Sequence, residues 1–211
     1  MLSLSDSLEE ELRESDIDGK SFVPLDYLER IITKESIKIE LGITDGACTK
    51  ARKTSDLPDK ITKEAKRVFG ALTLMERADA IESLLDEGLT DEHLPLSRDP
   101  KCEAILSQDG ETTFLFSGLG KRTITEFIKY KQWFFLAPIL GTGGEFIEVD
   151  NECALPFTDS EVVGNGSAGV VRKAKIYEGH QRGFEVSTLG CGSSLRDTKG
   201  CRRKQWTFKL P

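Results

Sequence analysis

The 211 residues predict an α+β chain in three parts: a helical module, a short strand-rich segment and a basic tail. Three observations carry this prediction. Apolar residues recur at helical spacing through the first two-thirds, β-branched residues alternate with charged ones around Val170–Tyr177, and neither period survives near the C-terminus. The helical module is placed at residues 1–132, the strand-rich segment at 133–181, and a disordered basic tail at 182–211.

Ser7 and Glu10 form a capping-box pattern, with Leu4, Leu8 and Leu12 on one helical face. A second helix begins near Pro24, a good first-turn residue, and carries Leu25, Leu28 and Ile32. It is expected to run on to Leu41, where Gly42 stops it. The third has the cleanest pattern, Ile61, Ala65, Val68, Phe69 and Leu72, which predicts a core face. The fourth carries Ala78, Ile81, Leu84 and Leu85 and ends at Gly88, with Thr90 capping a further turn before Pro95. Asp109–Gly110, between Ala104–Ser107 and Thr112–Phe116, predicts a hairpin turn. Thr123 and Glu126 predict another capping box, followed by Ile124, Phe127 and Ile128.

After Tyr130 the texture changes. Trp133-Phe134-Phe135-Leu136 reads as a buried strand or packing wedge, with a partner anchor as the competing reading. Phe146–Val149 and Pro156–Val163 read as strands, and Val170–Tyr177 as another, turned at Glu178-Gly179.

Composition narrows the function classes. The net charge of −7 argues against a general nucleic-acid surface. From Arg182 to Pro211 seven Lys/Arg face Glu185 and Asp197, a net +5, which leaves −12 for residues 1–181. No apolar run reaches the ~20 residues that span a bilayer, so no membrane partner is expected. Five scattered cysteines without a C-x-x-C pair and two histidines argue against a zinc site and a disulfide framework, and predict an intracellular, cytoplasmic setting. Glu9-Glu10-Glu11, Asp16 and Asp18 lack the order of a calcium loop and read as a solvated face. Asp91, Glu92 and His93 have no nucleophile beside them; helix capping explains the acids. No catalytic and no metal-ligating residue is assigned.

The one chemical motif is Gly164-Asn165-Gly166-Ser167-Ala168-Gly169-Val170-Val171, a G-x-G-x-x-G-x-V pattern. A phosphate chain held by backbone amides needs glycine, because side chains would block its approach. In a chain with nineteen glycines the spacing alone is a weak signal. Context separates the nucleotide readings: a dinucleotide fold needs a helix after Gly169, and the β-branched run there predicts a strand.

Gln132-Trp133-Phe134-Phe135-Leu136-Ala137-Pro138, then Leu155-Pro156-Phe157-Thr158 and Val162-Val163-Gly164-Asn165-Gly166, resembles the start of the catalytic domain of fungal protein kinase-like proteins. Ser21-Phe22-Val23-Pro24 and Gly88 through Leu96 resemble phrases of the helical region that precedes that domain; the resemblance covers about residues 8–181. It implies an incomplete kinase N-lobe at 133–181. There Val163, Gly164, Asn165, Gly166, Ser167, Ala168, Gly169 and Val171 form the nucleotide-binding set. The glycines cover the phosphates, while Val163 and Val171 press on adenine. Two departures stand out. Ala168 occupies the loop tip where kinases place an aromatic residue. A third-strand lysine, an H-R-D aspartate and D-F-G do not follow, and Thr207-Phe208-Lys209 echoes V-A-I-K too far downstream.

The expectation is therefore a truncated kinase-like protein, inactive in phosphoryl transfer, whose remaining activity is protein binding by its helical module. ATP with magnesium belongs to a full-length form, and no cofactor is firmly expected for this chain. The abrupt tail is explained by a frame shift or retained intron, which transcript sequence beyond Gln181 would test; an intact reading frame there would exclude it. The competing reading is a stand-alone helical interaction module whose glycine loop is an incidental turn.

Overall fold

The computed structural model describes residues 3–43, 56–100, 104–141, 149–166 and 169–183; among these, seven α-helices and nine strands, most of them short, make a mixed α+β fold. The expected strand over Phe146–Val149 falls mostly outside these residues, and so does the tail from 184 onward.

Helix α1 (Leu4–Glu10) starts one turn before the predicted cap. Ser3 is the cap: its hydroxyl accepts the Asp6 N–H at 3.0 Å, and the Asp6 carboxylate accepts the Ser3 N–H at 3.1 Å. Arg13–Glu14 (β1) and Ser21–Phe22 (β2) then pair antiparallel. The helix expected from Pro24 to Leu41 is two helices, α2 (Leu25–Ile31) and α3 (Lys34–Glu40). Thr33 divides them, because its extended backbone and its reciprocal bonds with Ser36 start a new helix. Gly42 ends the run at φ +63°, as expected.

The apolar stripe from Ile61 to Leu72 is core throughout, all five residues being fully buried. It too lies on two helices, α4 (Leu57–Glu64) and α5 (Lys66–Thr73), parted at Ala65. The cause lies further along the chain, in the turn Asp91–His93. The Asp91 carboxylate accepts the N–H groups of Arg67 and Val68 at 3.0 Å, replacing the carbonyls that an unbroken helix would supply. Asp91 does cap a helix start, but it caps one 24 residues upstream. Its own turn is closed by reciprocal Thr90–His93 bonds.

Helix α6 (Ile81–Asp86) ends before Gly88 at φ +88°. The Asp109–Gly110 hairpin joins β4 (Ile105–Leu106) to β5 (Thr113–Phe114), and β3 (Ser97–Arg98) adds an unforeseen third strand. Helix α7 (Lys121–Glu126) begins after Gly120, three residues earlier than the Thr123–Glu126 pattern predicts. It runs through a wider turn at Phe127–Lys131 into a 3-10 turn at Gln132–Phe135. Trp133–Phe135 is thus helical rather than a strand, and Phe135 is the packing wedge.

Phe135 closes the large core of Leu28, Ile61, Phe69, Leu72, Leu84 and Phe127. Its ring lies where a Cβ on Gly70 would sit, 2.7 Å from Cε1, so close approach dictates glycine within α5. Gln132 is fully buried and makes a strand-like amide pair with Leu96, accepting its N–H at 2.7 Å and donating to its carbonyl at 2.8 Å. No helix among the described residues is long and apolar enough to cross a membrane.

Candidate functional site

The glycine motif lies on an antiparallel hairpin of β7 (Phe157–Gly166) and β8 (Gly169–Ile176). Its foot is anchored. Phe157 is buried with Leu140 and Leu155, and Ile17 and Ile176 pack on them. The Asp16 N–H donates to the Phe157 carbonyl at 2.8 Å, the Tyr177 N–H to the Pro156 carbonyl at 2.8 Å, and the Ser160 hydroxyl to the Asp16 carbonyl at 3.2 Å. The Asp18 carboxylate accepts the Leu155 N–H at 3.1 Å, so one of the acids read as solvated holds the approach to β7.

Past Ser160 the hairpin leaves the body. Glu161, Val162 and Val163 are exposed on β7, and Arg172 through Lys175 on β8. Asp159 faces Lys175 and Glu161 faces Lys173, opposite charges that favour this register. The register shifts twice, between Phe157 and Asp159 and between Val162 and Gly164. The second shift makes Val163 the extra residue of a bulge, beside the Gly164–Val171 pair. Val163 is 56% exposed and Val162 47%, and neither joins a described core cluster.

Asn165 pairs with Val170, and Gly166 with Gly169; Ser167 and Ala168 lie outside the described residues. Gly169 begins a strand. The helix that a dinucleotide site requires is absent there, which removes that reading. Gly164 differs from the turn glycines of this fold. Its φ is not positive, and no atom lies within 4 Å of where a Cβ would go, so neither conformation nor packing requires glycine.

Two residues that the sequence pointed to only weakly, or not at all, organise the hairpin's surroundings. His180 is buried between Phe22 and the segment of Pro138, and burial holds its pKa below the ordinary histidine value despite the Pro138 carbonyl beside it. Cys153 is buried with its Sγ 2.8 Å from the Leu136 carbonyl; burial, then the nearby Asp150 and Asp18 charges, push its thiol up to about 12. An inert structural thiol results. Cys48, Cys102, Cys191 and Cys201 lie outside the described residues. Among the described residues no group of three or more His, Cys, Asp or Glu is placed to hold a metal ion.

Comparison of the chain with family models, with curated proteins and with solved structures gives no match.

Proposed function

We propose that the β7–β8 hairpin is a nucleotide lid of the protein-kinase type, carried on a helical module that binds a protein partner. The observation that supports it best is the strand–loop–strand setting of the motif, together with a Gly164 that the fold itself does not require. In this reading the backbone of Gly164, Asn165, Gly166 and Gly169 lies over a phosphate chain. The bulged Val163 offers apolar surface to the base.

The lid alone does not make an enzyme. Phosphoryl transfer rests on metal placement and on charges aimed at the transferring group, and the sequence holds neither H-R-D nor D-F-G. Lys173 and Lys175 lie on the second strand of the hairpin, opposite Glu161 and Asp159, and not on a third strand, where the kinase lysine belongs. The chain therefore binds nucleotide without turning it over.

Calorimetric titration of the purified chain with Mg-ATP tests this. The expected result is saturable binding, abolished in a Gly166→Val/Gly169→Val variant, with no phosphate released from the nucleotide. No saturable binding by the folded wild type would leave the glycine turn incidental and the helical interaction module as the function.

A further inference from the structure

A buried histidine ties the foot of the hairpin to the helical body. His180 is 2% exposed and follows β8 by four residues. Its Nε2 lies 3.1 Å from the backbone nitrogen of Leu25, at the start of α2. Its Nδ1 lies 3.1 Å from the Pro138 carbonyl. These partners dictate one neutral tautomer, in which Nδ1–H donates to Pro138 and Nε2 accepts the Leu25 N–H. The Phe22 ring meets the imidazole edge-on at 5.3 Å, and the Tyr177 ring at 6.2 Å. The next two residues form β9 (Gln181–Arg182), which pairs in parallel with β6 (Leu140–Gly141). One side chain therefore bonds both the helical body and the segment that β9 lies against.

We propose that His180 is an acid-released latch: a proton on Nε2 replaces the acceptor of the Leu25 N–H with a second donor, and the 177–182 segment separates from α2 and β6. The proton comes from solvent, and no covalent bond changes. Among the described residues, few groups face the ring. From α2, the Asp26 carboxylate lies against Gly179 and favours the imidazolium; from α5, Arg67 opposes it; the Pro138 and Ala137 carbonyls favour it. Burial outweighs them and favours the neutral ring. The folded state thus holds the histidine below its ordinary value of 6.5. The released segment binds the proton more readily, so the latch is complete above that value and weakens as pH falls below it.

Amide NMR of the full chain between pH 7.5 and 5.0 tests the latch without any nucleotide, so it stands or falls separately from the lid. In the wild type the amides of Leu25 and of residues 177–182 are expected to shift together with the His180 ring protons. Exchange protection in β9, corrected for intrinsic rates, is expected to fall at least tenfold, while the amides of Ile61 and Phe69 hold. His180→Gln supplies an acceptor to Leu25 and a donor to Pro138 without titrating, so its segment is expected to stay docked over the whole range. Equal pH responses in the two proteins, or a His180 that stays neutral to pH 5.0, would overturn the proposal. Should the glutamine variant not fold, the wild-type titration decides alone: segment amides that do not follow His180 would equally overturn it.

Discussion

The helical body encloses a large apolar core and leaves Ile39, Leu115 and Tyr130 exposed on its surface; on the outer glycine hairpin Val162 and Val163 stand in water with no core beneath them. Phe22, Phe69, Phe116 and Phe127 have almost no exposed surface, and the polar groups buried with them are paired, as Gln132 is with Leu96. The hairpin shares this order only at its foot, around Phe157. Beyond Ser160 it rests on backbone pairing and on cross-strand charges, which contribute little to folding stability. A residue's identity in the body is explained by what it packs against. On the outer hairpin packing explains almost nothing.

Substitutions can sharpen or break that contrast. The largest effect is expected at Phe69, where Phe69→Ala removes a fully buried ring and should cost about 3–5 kcal/mol in urea unfolding. A much smaller loss would mean that the helical core is loosely packed. Gln132→Ala leaves the buried N–H and carbonyl of Leu96 unpaired, and should cost about 2–3 kcal/mol by the same measurement. Gly70→Ala gains helix propensity but drives a methyl into the Phe135 ring. A net loss of about 1–3 kcal/mol is expected, whereas a more stable variant would show that the ring moves aside.

Glu87 offers a pH-resolved case. Burial works against its charge, but bonds from Ser117, Leu115 and Phe116 outweigh this and hold its pKa below 4.5. Its contribution is complete above 4.5 and is lost as pH falls through the depressed folded value. Glu87→Gln should therefore cost about 1 kcal/mol at pH 7, with the gap to wild type closing in acid. A gap that persists unchanged at low pH would assign the loss to packing instead. The smallest effect belongs to the hairpin: Val163→Ser and Gly164→Ala should each shift unfolding by less than about 0.5 kcal/mol. A large loss at Gly164 would make the glycine a folding residue and weaken the lid reading.

The helical body was legible where periodicity speaks and illegible where a distant residue intervenes. Ile61 through Leu72 announced a core face correctly. The break at Ala65 did not show, because its cause is the Asp91 carboxylate arriving from another segment. The division at Thr33 was readable in principle from Thr33 and Ser36, but the continuing apolar pattern concealed it. Of the two readings of Trp133–Phe135, buried strand or packing wedge, the strand rests on the preference of aromatic runs for strands and is not seen; Phe135 is a wedge against Gly70, within a helical turn.

At the candidate site, β-branched residues on both sides of the glycines were enough to predict strand–loop–strand. The bulge at Val163 was not legible, since it depends on cross-strand register. His180 gave no signal either, because its partners, Leu25 and Pro138, are distant in sequence.

The most direct measurement of the central claim is a residue-by-residue amide NMR map of the chain during Mg-ATP titration. The account predicts saturable shifts confined to Val163 through Val171 and the strand positions beside them, with the amides of the helical core unmoved. Shifts centred on the helical body, or no saturable shift in the hairpin, would contradict it.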